Sequence, residues 1–188
     1  MVVLPVFLQA PWVRLHPFSA TLFTAVLLAV GIVLEQSGER QKAEIGQLLV
    51  GFSGSWLAGC LFWGWLRAHP LLHLPVEAFA LPLALTGLNS RWRLAAAFYL
   101  SSLLGTACTD LMMAVTGVMQ AWPTVVMAPI DVAPGLLHQA GLQLLHPLPM
   151  LLLALAAALI LGLGRRWSQM GSTWTMAGAV LVTTVWVD

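Results

Sequence analysis

Charge is what this 188-residue sequence has least of. Asp, Glu, Lys and Arg make up 8% of it, against about 25% in an ordinary soluble domain. With 60% hydrophobic residues and a mean hydropathy of +0.89, it has too little polar surface to cover a water-soluble fold. It reads as an integral membrane protein, one helical domain over residues 1–188. Eight basic and seven acidic residues give a formal net charge of +1, which leaves no basic footprint for nucleic acid. Cysteine is scarce too. Cys60 and Cys108 both sit in apolar runs, which excludes a disulfide framework and a cysteine-rich metal centre. The sequence lacks a zinc-protease motif, a P-loop and a nucleophile elbow, so it is not expected to be an enzyme. Nor does it show the internal repeat that marks many transporters.

What is present is a series of apolar runs. A hydrocarbon core about 30 Å thick needs about 20 helical residues. Pro17 to Leu34, Ile45 to Leu66, Leu94 to Met119, Leu148 to Leu163 and Trp167 to Val187 meet that length or come near it. The fold class is therefore all-α and polytopic, with five transmembrane helices. Pro70 to Leu88 is ambiguous. Counted from Pro75, placed at a helix N-terminus with Glu77 in the first turn, it has 14 residues, or about 21 Å. It is expected to be a Pro-bounded half-helix, with a short sixth span as the alternative. Met1 to Arg14 lacks the basic region of a signal peptide and, broken by Pro5 and Pro11, reads as an interfacial arm.

Basic residues do not decide the topology. With five spans, Arg14, Arg67, Arg91, Arg93, Arg165 and Arg166 oppose Arg40 and Lys42, and the N-terminus is cytoplasmic. With six, Arg40, Lys42, Arg91, Arg93, Arg165 and Arg166 oppose Arg14 and Arg67, and the N-terminus is outside. Five spans are preferred because the Pro75 helix is short. Residues 120–147 carry no Lys or Arg, as suits a non-cytoplasmic loop. Pro123, Pro129 and Pro134 keep its first half irregular. Leu136, Leu137, Ala140, Leu144 and Leu145 recur at helical spacing in its second half, the pattern of an interfacial amphipathic helix.

Asp110 is the least expected residue, because a charge inside a span is costly and normally faces a partner or water. Ser102, Thr106 and Asp110 are four apart and form one polar stripe. It marks either an ion, proton or ligand site, or a carboxyl that locks two helices. Glu77 either caps its own helix or meets His73 or Asp110. His69 and His73 have a helical metal-ligand spacing, but Pro70 and Pro75 interrupt the helix and no third ligand follows, so no metal site is expected. His16, His69, His73, His138 and His146 lie at span ends or in loops.

Small residues at four-residue spacing mark three spans: Gly51, Ser55 and Gly59; Ala97, Ser101, Gly105 and Thr109; and Ala154, Ala158 and Gly162. Such stripes let helix backbones meet closely, within the chain or against a partner subunit or flat pigment ring. Of the nine tryptophans, most fall near span ends, as in an aromatic belt. Trp56 is mid-span, placed to pack in the core or to stack on a pigment or lipid.

Several segments carry a family likeness: Ser55-Trp56-Leu57-Ala58-Gly59, Trp63-Gly64-Trp65-Leu66-Arg67, His73-Leu74-Pro75-Val76-Glu77-Ala78 and the run from Phe98 to Leu111. They resemble an uncharacterised cyanobacterial membrane-protein family, a domain of unknown function, from about Trp56 to Arg166. The resemblance implies a thylakoid or cell inner membrane of a cyanobacterium and a photosynthesis setting. It suggests an accessory or assembly subunit of a larger membrane complex, a photosystem, that contacts chlorophyll, carotenoid and lipid. His16, His69, His73, His138, His146 and Trp56 are then the pigment candidates. The alternative is a small ion- or proton-coupled transporter using Asp110 and Glu77.

Overall fold

The computed structural model describes residues 8–187. Those residues form helices and turns, with no strand among them. A short helix α1 (Ala10–Leu15) leads into α2 (Pro17–Glu35) and α3 (Arg40–Leu61), which continues as a wider π-type turn over Phe62–Leu66. A single 3-10 turn (Pro70–Leu72) precedes two short helices, α4 (His73–Glu77) and α5 (Leu81–Gly87). Then come α6 (Arg93–Val115), α7 (Trp122–Met127), α8 (Ala133–Leu144), α9 (Pro147–Trp167) and α10 (Ser172–Val187).

Five segments are long and apolar enough to cross a membrane: Pro17–Glu35, Arg40–Leu66, Pro70–Gly87, Arg93–Val115 and Pro147–Trp167. The third of these is the segment expected to be a half-helix. It starts beside Arg67, whose carbonyl accepts a 2.9 Å bond from Trp122 Nε1, and finishes beside Arg91, which lies 3.9 Å from Glu35. It therefore connects opposite ends of the bundle, as the alternative of a further crossing has it, whereas the expected last span, Trp167 to Val187, is not among the five, because α10 has only 16 residues. The count from Pro75 falls short because the helical path begins at Pro70 and resumes at Leu81 after the break. Arg40, Lys42, Arg91, Arg93, Arg165 and Arg166 thus share one end, and Arg14 and Arg67 the other. Trp92 and Trp167 accordingly lie at the first of these ends and Trp12, Trp63 and Trp65 at the second, although a five-span arrangement would group all five at one boundary.

Several boundaries also shift. The span expected to reach Met119 ends at Val115, because Gly117 turns the chain in the left-handed region at φ 79°. The last helix starts at Ser172 rather than Trp167, since α9 extends through Arg165 and Arg166. Pro123 begins α7 instead of keeping that stretch irregular, a role Pro fills because an N-terminal amide needs no helical partner. The segment before Arg14 is no interfacial arm in its described part. Val13 is 1% exposed, and Gln9 reaches into the bundle to donate to the Trp56 carbonyl (2.5 Å) and Cys60 Sγ (3.1 Å). Met1 to Phe7, including Pro5, lie outside the described residues.

The core is aromatic and small-residue packing between α1, α2, α3 and α6. Trp56 is 3% exposed, meets Trp12, Phe23 and Phe52 at ring distances of 5.7–6.1 Å, and donates from Nε1 to the Ala20 carbonyl at 2.9 Å. Two of the small-residue stripes serve this packing. Gly51 faces the Ala95 backbone of α6, and Gly105 faces Thr184 of α10. The third does not: Ala154, Ala158 and Gly162 are exposed, and α9 meets α10 instead through Gly164 and Gly178.

Candidate functional site

Where α4 passes α6, near the Arg67 end, two polar side chains meet. His73 Nδ1 lies 2.8 Å from Asp110 Oδ1, and the two side chains are 19% and 14% exposed. Asp110 sits five residues before the end of α6, about 8 Å along its axis. It is nearer the bundle end than a span to Met119 implies. Phe62, fully buried at the start of the π-type turn, lies against the imidazole with ring centroids 4.3 Å apart and planes at 31°. That contact fixes the plane of the ring, so Nδ1 points at the carboxylate.

Glu77 is one helical turn deeper on α4 and only 7% exposed. Its carboxylate is close enough to interact electrostatically with both His73 and Asp110. The helix stops there. The amide of Ala80 donates to the Tyr99 hydroxyl (3.2 Å), and that hydroxyl donates to the Glu77 carbonyl. A break in a membrane helix frees backbone groups that lipid cannot satisfy, and here one side chain of α6 satisfies two of them. The arrangement descends from the Arg67 end: His73 with Asp110, then Glu77, then the Ala78–Ala80 break held by Tyr99.

The other predicted residues are dispersed. Ser102 and Thr106 are half-buried, and neither hydroxyl bonds Asp110, so the stripe is not a hydrogen-bonded chain among the described residues. His16, His69, His138 and His146 are exposed, all toward the Arg14–Arg67 end. His73 alone among the five is drawn into the bundle. No group of three His, Cys, Asp or Glu suits a metal ion among the described residues. Trp56 is committed to the core, its faces covered by the chain's own rings.

Sequence reasoning missed Tyr99, Phe62 and Gln9. The first had a signal. It is the chain's single tyrosine, set in an apolar span where its hydroxyl must find a partner. Phe62 had none, because only the widened turn aims it at His73.

A family described as a protein of unknown function (DUF3120) matches residues 1–188, and the chain belongs to that family. No curated protein and no solved structure matches it.

Proposed function

We propose that this chain is a small proton-coupled membrane transporter, with His73, Asp110 and Glu77 as its proton-carrying groups. The observation that carries this reading is the 2.8 Å His73–Asp110 contact beside buried Glu77, at the break of a crossing segment. Discontinuous helices recur at transporter ion sites, and intramembrane Asp, Glu and His chains recur in proton relays. The charge arithmetic suits the role. Neutral His73 donating to ionised Asp110 carries a net charge of −1. One added proton gives imidazolium and carboxylate, neutral together. Glu77, a turn deeper, is placed to exchange that proton onward. The basic end with Arg40, Lys42, Arg91, Arg93, Arg165 and Arg166 is cytoplasmic in this reading, so the His73–Asp110 pair faces the other side.

In liposomes under a potassium diffusion potential, Asp110→Asn is expected to abolish proton flux while leaving helix content unchanged. Flux equal to the parent chain removes the reading.

A second reading is supported by the surface of α9. Its Ala154-Ala158-Gly162 stripe and leucines such as Leu155 and Leu159 face outward without a partner in the chain. That suits an accessory or assembly subunit of a larger membrane complex. With the cyanobacterial resemblance, that complex is a photosystem and the exposed histidines and lipid-facing surface contact chlorophyll or carotenoid. Mild extraction followed by native electrophoresis tests it: a colourless protein migrating alone counts against it.

A further inference from the structure

A cavity of about 580 Å³ lies on the flank of the bundle, away from the His73–Asp110 pair. Its volume is within the range of about 300–1,000 Å³ typical of small-ligand sites. α2 and α5 form its walls through residues such as Leu28 and Leu83, and the seam of α3 and α6 is its floor. The floor is low because Gly51, Gly54, Ala95 and Ala96 carry little or no side chain there. Along α6 the lining runs from Trp92 to Tyr99, about 10 Å of helix axis. It is a cavity on the flank of the bundle between these helices, and its lining is almost wholly apolar. The upper end closes on Tyr99. The lower end reaches Ser90 and Trp92 at the basic end of the bundle.

At that mouth Arg91 and Arg93 outnumber the one nearby acid, Glu35. Arg91 is largely exposed, with its guanidinium 5.2 Å from the centroid of the Trp92 ring. Arg93 is exposed and has no ion-pair or hydrogen-bond partner among the described residues. The N-terminus of α6 begins beside them, with Ser90 taking the amides of Trp92 and Arg93, and the helix dipole adds partial positive charge. Of the acids at this end, Glu39 and Glu44 are paired with Lys42 and Arg40, and Glu35 is 3.9 Å from Arg91. Arg93 stays uncompensated.

An apolar cavity that ends beside two arginines, one of them without an acidic partner among the described residues, matches one class of molecule in both parts. We infer that it holds an anionic membrane phospholipid, with part of an acyl chain in the slot and the phosphate at Arg91 and Arg93. The occupant comes from the bilayer because the slot's wall residues Leu83 and Thr86 are exposed on the flank, where lipid surrounds the bundle.

The test uses the full chain in nanodiscs of phosphatidylcholine doped with phosphatidylglycerol, with retained lipid read by native mass spectrometry. The parent chain is expected to retain phosphatidylglycerol over phosphatidylcholine by about thirtyfold, the discrimination expected of two arginines near an anionic headgroup. Arg91→Gln with Arg93→Gln removes that preference and leaves lipid bound. Thr86→Trp, which fills the slot from α5, removes retained lipid of both kinds. Leu28→Trp does the same from the α2 wall and replaces it if Thr86→Trp loses its helical circular dichroism. Equal retention of the two lipids by the parent chain overturns the inference. So does undiminished retention in a correctly folded slot-filling variant, or a preference that survives loss of both arginines.

Discussion

Tyr99 shows what one hydroxyl does in a span without water. It accepts from the Ala80 amide and donates to the Glu77 carbonyl, so it closes the gap that the α4–α5 break opens. Tyr99→Phe keeps the ring and removes both bonds. Hydrogen bonds between membrane helices are worth about 0.6 kcal/mol on average and up to about 1.7. The variant should therefore lose roughly 1–3 kcal/mol, read as a lower unfolding temperature in detergent, with faster hydrogen exchange confined to residues around Ala80. Uniform exchange across α6 as well would show that the hydroxyl holds the whole bundle rather than the break. At this scale the sequence was partly legible. Asp110 stood out because a charge in an apolar run needs a partner, and the structure places His73 beside it. The sequence points to the segment around Glu77 as the partner and to Ser102 and Thr106 on the same face of α6, but it does not single out His73, because it displays neighbours on one helix and hides contacts with the next. Phe62 against His73 is a contact of that hidden kind.

Among elements, α9 and α10 are joined by the closest backbone approach on their interface. A side chain at Gly178 would place its first carbon 2.7 Å from the Gly164 carbonyl oxygen. No rotamer relieves such a clash, because the obstacle is backbone. Gly178→Leu should push the two helices apart and expose α10 to limited proteolysis, while Gly162→Leu, with nothing near it, should behave like the parent chain. Equal protease resistance in both variants would mean that Gly164 and Gly178 do not set this interface. Long helices were readable from hydropathy alone, since lipid demands apolar side chains all round. Their ends were less so. Gly117 stops α6 by a turn that Gly favours but does not compel, and α9 carries Arg165 and Arg166 inside its last turn, where long cationic side chains reach toward water. The Pro70–Gly87 segment follows the alternative of a crossing rather than the preferred half-helix, for a physical reason. Its length was counted from one proline, yet helical geometry tolerates a break wherever another helix satisfies the freed groups.

For the whole molecule, the Arg91–Glu35 approach decides between two topologies that charge counting leaves level. Loop 36–39 and loop 88–92 lie at one end, and residues 128–132 at the other. Single cysteines introduced at Ser37 and Asp131 should therefore label from opposite sides of a sealed cell. Asp131→Cys is expected to react with an impermeant maleimide in intact cells, and Ser37→Cys only after permeabilisation. Labelling of both from the same side would return the Pro70–Gly87 segment to a re-entrant path. The apolar surface of α2 and α9 is exposed along the helix, where bilayer lipid or another membrane helix can cover it. The polar contacts instead gather where segments turn or break.

The broken crossing also bears on how the chain is made. Its stabilising partners, Tyr99 and Asp110, belong to α6, which leaves the ribosome later. Until α6 emerges, the segment offers the translocon a short, proline-interrupted stretch with a carboxyl group at Glu77, and it has no strong reason to stay in the bilayer. It should enter as a hairpin with α6 rather than alone. An insertion assay that reports on residues 70–87 would then show poor integration when synthesis stops before Arg93 and full integration once Asp110 has been made. Asp110→Leu, although it makes α6 more apolar, should reduce integration of the segment before it.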